Sequence, residues 1–299
     1  MLNRRKPFTR KQQPGKLEPT AATTEVLQGI YEHEGVMSQR QIVKRFFPGC
    51  TSTWPEARLT QYYDHRLLKK HDASFVNGEQ LGEIVYTLDV AGARYLHTQR
   101  HADAALKWRR TPRWSTLAHD LKINDFRIAI TLAAQASPRF ELVQWVSEYE
   151  LSQTFKAYGR LDGFFRLRRQ SPTQADRIEE LAILPEIDMG NHPLKRFVKK
   201  KVKPVLSFIG SNEYQRIFGV KYGVCFVITT GTKRLENLKA KTEEAGGNGL
   251  FYFTTFDKVN EGAVLTSTIW QLAGSESRFP LSSLPLEPGF HPRHVDRRS

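Results

Sequence analysis

Apolar positions in the first third of the chain recur at helical spacing. In "TEVLQGIYEHEG", Val26, Leu27, Ile30 and Tyr31 share one face, and Gly35 suits the stop. In "SQRQIVKRFFPG", Ser38 and Gln41 form a capping-box pattern ahead of Ile42, Val43, Phe46 and Phe47, and Pro48-Gly49 ends the helix. A third helix starts at "TWPEARLTQYYDHRLLKKH", with Thr53 and Glu56 as a second capping box, Pro55 harmless in the first turn, and Leu59, Tyr63 and Leu67 inward. "HDASFVNGEQLGE" supplies a polar Asn-Gly connection suited to a hairpin tip. "GEIVYTLDVAGARYL" reads as a strand, then a helix capped by Asp89. From residue 115 the rhythm changes. "STLAHDLKINDFRIAITLAAQAS" is a helix with Leu117, Leu121, Ile128 and Leu132 at core positions, and "FELVQWVSEYE", "RLDGFFRLRR" and "RIEELAILPEIDMG" are strands. "HPLKRFVKKKVKPVLSFIG" is helical with a break near Pro204. "YGVCFVITTG" is an almost wholly apolar strand, as expected where both sheet faces are covered. "TKRLENLKAKTEEAGG" is an exposed helix, "GLFYFTTFDKV" a last clear strand and "STIWQLAG" a short edge element.

These elements predict a mixed α/β chain of two domains. Three short helices, a hairpin and a closing helix is the order of a winged helix-turn-helix, assigned to residues 23–100, whose third helix enters the major groove. Its outward stripe is Arg58, Gln61, His65 and Lys69: Arg and Gln read base edges bidentately, and Lys and His suit phosphates. The competing reading is an ordinary three-helix bundle with a polar solvent face. Residues 101–114, with Trp108-Arg109-Arg110 and Pro112, form the linker. The second domain, residues 115–275, opens with the order α-β-β-β-α-β, the core order of the restriction-endonuclease-like fold. Residues 1–22, with Arg4, Arg5, Lys6, Arg10, Lys11 and Lys16 among Gln, Pro and Thr, are expected to be a disordered basic arm, and residues 276–299 a Pro-rich tail.

Charge narrows the partners. A formal net charge of +14 over 299 residues favours a polyanion, double-stranded DNA ahead of an anionic membrane surface. No apolar segment approaches spanning length, and no membrane partner is expected. The two cysteines, Cys50 and Cys225, lie in apolar surroundings, there is no Cys/His zinc spacing, and the basic N-terminus lacks the apolar run of a secretory signal. These features point to the cytoplasm. The run "KRFVKKKVK" has six basic residues in nine and no acid. A solvated helix face is the ordinary reading. The other is a grip on the DNA backbone by Lys199, Lys200 and Lys201, joined by Arg160, Arg166, Arg168 and Arg169 of the strand "RLDGFFRLRR".

The candidate chemistry lies in "LAILPEIDMG". Alternation puts Glu186 and Asp188 on one face of a strand, where two like charges repel unless a cation or a basic surface meets them. Asp162 opens the preceding strand, and Glu148, at the end of the one before, is a possible fourth acid. In PD-(D/E)xK nucleases, acids on two such strands hold Mg²⁺, and a Lys two residues after the second acid orients or deprotonates water. Here Asp188 stands where that Lys would be. A lysine reaches in from the following helix, with Lys195 or Lys199 the candidates, or the site works without one, or it is dead. The catalytic candidates are therefore Asp162, Glu186, Asp188 and Lys195, with Asp162, Glu186 and Asp188 as ligands for Mg²⁺ or Mn²⁺. The alternative is that these acids cap backbone amides at strand ends.

The helix "LAHDLKINDFRIAI", with His119, Leu121, Asn124 and Asp125, resembles the His-x-Leu-x-x-Asn-Asp helix of the replication-relaxation family of plasmid and integrative-element proteins. Asp162-Gly163, then Glu186, Asp188 and Gly190, and the block "YTLDVAGARYL" resemble its other blocks, so the similarity covers roughly residues 24–270. The resemblance implies a DNA-binding protein of a mobile element, acting in plasmid replication, relaxation or mobilisation alongside other proteins of those processes. It does not specify the chemistry. On a helix advancing about 100° per residue, His119, Asn124 and Asp125 share no face. The helix begins after His119, or the three do separate jobs, structural capping among them. Two function classes follow: a DNA-binding protein that nicks with Mg²⁺, and a non-enzymatic regulator or accessory factor.

Overall fold

The computed structural model describes residues 8–99, 110–154, 161–171, 178–209, 211–220 and 222–284. The chain is mixed α/β and divides into two compact units, Met1–Asp125 and Phe126–Ser299.

In the first unit, α1 (Ala21–Glu32) starts one turn earlier than expected, because Thr20 and Thr23 form a reciprocal capping box. β1 (Met37–Ser38) leads into α2 (Gln39–Phe46), whose expected capping box is present: Gln41 N donates to Ser38 Oγ at 3.2 Å and Ser38 N to Gln41 Oε1 at 3.0 Å. In α3 (Trp54–Asp64), by contrast, Thr53 makes no side-chain cap bond. This helix ends at Asp64, and Arg66 takes a positive φ of 59° on the way into β2 (Leu68–Val76). Lys69 is therefore a strand residue, and the helical stripe reduces to Arg58 and Gln61 with His65 at the C-cap. Asn77 and Gly78, both at positive φ, turn the chain into β3 (Glu79–Leu88), the backbone an Asn-Gly hairpin needs. The sheet order is β1-β3-β2. Asp89 Oδ1 accepts Val90 N at 2.8 Å at the start of α4 (Val90–Gln99), where a side chain at Gly92 would collide with the Leu67 carbonyl.

The basic arm is held against this unit from Phe8 onward. Arg10 bonds Asp89 Oδ2 at 2.7 Å and the Leu68 carbonyl at 3.1 Å, and Tyr63 donates to the Phe8 carbonyl. Asp89 also meets Arg110 at 3.1 Å. Burial disfavours the charged Asp89 carboxylate, but the bonds from Arg10 and Val90 N outweigh it and hold the carboxyl below its ordinary range. Arg10 thus supplies a cation to an acid whose side chain is only 3% exposed. Arg4, Arg5 and Lys6 lie outside the described residues.

The division between units falls inside α5 (Leu117–Gln135), later than the linker expected at 101–114, of which 101–109 lie outside the described residues. Leu117 and Leu121 pack with Val36, Ala73, Val76 and Val85 of the first unit. Phe126 meets Trp145, Phe165 and Trp270 of the second. One helix serves two cores, so its sequence carries no punctuation at the boundary.

The second unit is built on a seven-stranded sheet: β4 (Phe140–Ser147), β5 (Gly163–Gln170), β6 (Ile178–Asp188), β7 (Val224–Thr229), β8 (Phe251–Thr255), β9 (Trp270–Leu272) and β10 (Arg278–Phe279). The order is β10-β9-β8-β7-β6-β5-β4, parallel for β6-β7-β8 and antiparallel on both sides. α6 (Glu148–Thr154) follows β4. After β6 come α7 (Leu194–Phe197), a π-helical turn (Val198–Val202), α8 (Lys203–Ile209) and α9 (Asn212–Phe218), and α10 (Thr232–Glu244) joins β7 to β8. The break expected near Pro204 is a widening instead. Pro204 has no N–H for the carbonyl four residues back and its ring crowds it. The chain adapts by letting Lys203 N bond Val198 O, five residues back, and the helix continues. Phe164, Leu184, Phe197, Val205, Phe208, Val227, Leu238 and Phe253 form the core between sheet and helices. The first part of the expected tail belongs to the fold. β10 pairs with β9, Leu281 is buried, and Arg169 donates to the carbonyls of Leu281 at 2.9 Å and Leu284 at 2.6 Å. Residues 285–299 lie outside the described residues.

Candidate active site

β5 runs antiparallel to β6, so the start of one lies beside the end of the other. The register pairs Phe165 with Ile183. Carried three residues further, it sets Asp162 opposite Glu186. Ile187 N donates to Asp162 Oδ2 at 2.7 Å and fixes that carboxylate across the strands. By alternation Asp162 and Glu186 lie on the face of Phe164 and Leu184, toward the helices. Lys201, in the π turn, enters from that side. Its Nζ lies 2.6 Å from Glu186 Oε2 and 3.1 Å from Asp162 Oδ1. All three are mostly buried, the side chains being 22%, 8% and 4% exposed for Lys201, Glu186 and Asp162. Burial alone would lower the Lys201 ammonium, but the two carboxylates outweigh it and hold it above its ordinary value. Beneath them, burial pushes the Cys225 thiol up and the charge of Glu186 pushes it further, so this cysteine stays a neutral packing group.

Asp188 has its own cation. Arg234, from the first turn of α10, donates Nε to Oδ2 and Nη2 to Oδ1, both at 2.9 Å, and Nη2 also reaches the His192 carbonyl at 2.8 Å. Thr229 Oγ1 donates to Asp188 Oδ2 at 2.7 Å. The bond to Asp188 is the first cause of the raised Arg234 guanidinium. The two acids of "PEID" thus share a face but meet different cations: Glu186 faces Lys201, and Asp188 faces Arg234.

Lys195 and Lys199, the expected intruders, are exposed, as is Lys200. The lysine that reaches the acids is Lys201, grouped in the sequence with the phosphate contacts. The signal for it was present. Lys201 follows Phe197 by four and precedes Val205 by four, which puts it on the apolar stripe, whereas Lys195 and Lys199 fall opposite. Arg234 stands 46 residues from Asp188 in sequence, and no local spacing announces it. Glu148 is buried at the start of α6, and the β4–β5 register, carried one residue on from Ser147–Gly163, sets it opposite Asp162. Among the described residues no group of three or more His, Cys, Asp or Glu is arranged to hold a metal. Two carboxylates converging on one cation are nevertheless the part-set that Mg²⁺ or Mn²⁺ takes from a protein, with water and phosphate oxygens supplying the rest.

Several of the remaining candidates already have partners within the chain. Arg166 lies 3.6 Å from Glu180, and Arg168 pairs with Glu141 at 2.7 Å and Glu180 at 3.0 Å, so acids already meet both arginines. Arg160 lies outside the described residues. In the first unit Arg58 donates to Gln61 Oε1 at 2.9 Å and stands over the rings of Tyr62 and the exposed Trp54. His65 and Lys69 are half-buried. The α5 motif is divided among separate tasks. Asn124 is fully buried and donates Nδ2 to the carbonyls of Val36 at 2.7 Å and His33 at 3.3 Å. Asp125 accepts from Arg40 at 2.9 Å and Gln41 at 2.8 Å. His119 is half-buried one turn earlier. These residues belong to the first unit, and the acids with Lys201 to the second.

A protein-family model described as replication-relaxation matches residues 27–218. That span takes in Asn124, Asp162, Glu186 and Lys201 and ends with α9. No curated protein and no solved structure matches the chain. Among the described residues no helix is long and apolar enough to cross a membrane.

Proposed function

The chain belongs to the replication-relaxation family, and from that premise we propose that it binds duplex DNA of a mobile element and nicks one strand with Mg²⁺ or Mn²⁺, in replication, relaxation or mobilisation. The observation that carries the nicking is the meeting of Asp162, Glu186 and Lys201 at one end of the second unit's sheet. Its strand order and helices support a restriction-endonuclease-like reading. For DNA binding, the order of elements in the first unit supports a winged helix, with α3 in the major groove and Arg58 and Gln61 at base edges. The exposed Lys195, Lys199 and Lys200 then contact phosphates beside the acids. A DNA partner and two free thiols, Cys50 and Cys225, fit a cytoplasmic protein.

The division of labour follows from the contacts. Asp162 and Glu186 would hold the divalent cation, which when bound supplies a polarised phosphate and an acidified water. Ile187 N keeps Asp162 turned toward Glu186. Lys201, a donor with no acceptor capacity, gives its N–H bonds to a phosphate oxygen and offsets the charge that grows there. Arg234 holds Asp188 away from the pair and keeps the strand end in place.

A second reading, a regulator that binds DNA without cutting it, is favoured by one observation: Lys201 already compensates both acids, as in a structural ion pair. Supercoiled plasmid separates the two. With Mg²⁺ or Mn²⁺ the wild-type chain yields open circles, which EDTA and Asp162→Asn prevent. Intact supercoils under a protein shown to bind them leave the regulator standing.

A further inference from the structure

We infer that Lys201 is a built-in competitor for the divalent cation, so that metal occupies the Asp162–Glu186 pair only as the ammonium leaves it. This inference rests on the nicking reading and concerns the control of that same site. Its basis is the place the ammonium occupies. Ile187 N donates to Asp162 Oδ2. Lys201 Nζ donates to Asp162 Oδ1 and to Glu186 Oε2, and so sits between the two acids. A divalent cation held by the same two carboxylates would lie close to the ammonium, and two positive charges close together in a mostly buried place repel strongly. One must yield.

The surroundings make the exchange feasible. The Lys201 side chain is the most exposed of the three, at 22%, and it is carried by a four-carbon stem from a π turn. Its neighbours Lys199, Lys200 and Lys203 are exposed, so a DNA backbone drawn to them brings new acceptors within reach of the ammonium. A phosphate that draws Lys201 away opens the pair to the metal, and metal in the pair releases Lys201 to the phosphate. The two bindings are then reciprocally coupled, which keeps the site idle off DNA.

The test is Mn²⁺ binding to the full chain without DNA, read by the loss of the free-ion electron paramagnetic resonance signal. Lys201→Met binds Mn²⁺ roughly 10-fold more tightly than wild type, within the usual range of coupling between sites. Lys201→Arg, which keeps the charge, shows no gain, and Asp162→Asn in the Lys201→Met background abolishes the binding. Equal or weaker binding by Lys201→Met overturns the exchange while leaving a metal site in place. No binding by any variant, with or without DNA, removes the metal reading itself and the inference with it. Because Lys201→Met leaves two buried acids facing each other, its thermal midpoint is measured in parallel. It falls without metal and is restored by Mn²⁺ more than wild type is raised. A destabilised variant that Mn²⁺ does not rescue also overturns the exchange.

Discussion

Replacing Asn124 by Ala tests whether the α5 motif is architecture or chemistry. The side chain is fully buried, and its Nδ2 serves two backbone carbonyls in the connection between α1 and β1. Each bond is worth about 1 kcal/mol net, and a carbonyl left dry costs about 1–3 kcal/mol. Against this, Asn124 Oδ1 is itself buried without a partner, so removing it returns about 1 kcal/mol. The balance is a loss of about 1–3 kcal/mol, confined to the first unit. Asn124→Asp should be worse than Ala at neutral pH, because a carboxylate would face two carbonyl oxygens. Protonation turns it into a donor, so its defect shrinks as pH falls. The assay is urea denaturation with hydrogen exchange to locate the loss, because a chain of two units need not unfold in one step. Nicking per folded molecule should stay near wild type. Unchanged stability in Asn124→Ala, or full stability with lost nicking, would refute the structural assignment.

Three further outcomes follow from the same geometry. Arg234→Met removes the cation from a buried carboxylate and should cost about 2–3 kcal/mol, below the about 3–5 kcal/mol for a fully buried pair because Arg234 is partly exposed and Thr229 still donates to Asp188, much of it recovered when Asp188→Asn is added; a thermal double-mutant cycle with no coupling would contradict the pairing. His71 is lowered to about 4 from its ordinary 6.5, by burial first and by the charge of Lys69 second. Between those values the unfolded chain binds more protons, so the stabilisation is complete above 6.5 and is lost as pH falls toward 4, by about 1–2 kcal/mol after allowance for solvent screening; His71→Gln should flatten the stability profile of the first unit over that interval. Arg58→Ala with Gln61→Ala should weaken sequence-specific DNA binding by about 1–3 kcal/mol for each base edge no longer read and nonspecific binding little, and an unchanged sequence preference in a binding-site selection would remove α3 as the reader.

Local rules made much of the fold legible. The Ser38–Gln41 box, the Asn77-Gly78 turn and the cap at Asp89 are short-range devices, and each stands where its spacing placed it. The boundary between units was hidden because α5 carries core residues along its whole length. The end of α3 was hidden too: "RLLKKH" keeps an apolar rhythm that a single positive φ at Arg66 turns into a strand. Asp162 and Glu186 stood out as acids at strand ends, and strand register brings them together. Lys201 was masked by its own surroundings, since a run of lysines reads as solvated and Pro204 reads as a stop. Its four-residue spacing from Phe197 and Val205 outranks both signals. The role of Asp188 was beyond local reading, because it depends on where α10 returns over the sheet.

If Asp162, Glu186 and Lys201 act as one site on DNA, removing one acid must stop the cutting and spare the binding. Single-turnover nicking of supercoiled plasmid tests it, with wild type beside Glu186→Gln and Lys241→Gln, the latter a lysine of α10 that pairs with Glu244, and plasmid binding measured on the same samples. Glu186→Gln should lower the nicking rate by at least about 100-fold with binding nearly unchanged, while Lys241→Gln nicks at close to the wild-type rate. Nicking by Glu186→Gln at the wild-type rate, or a wild-type protein that binds plasmid and never nicks it, would contradict that claim.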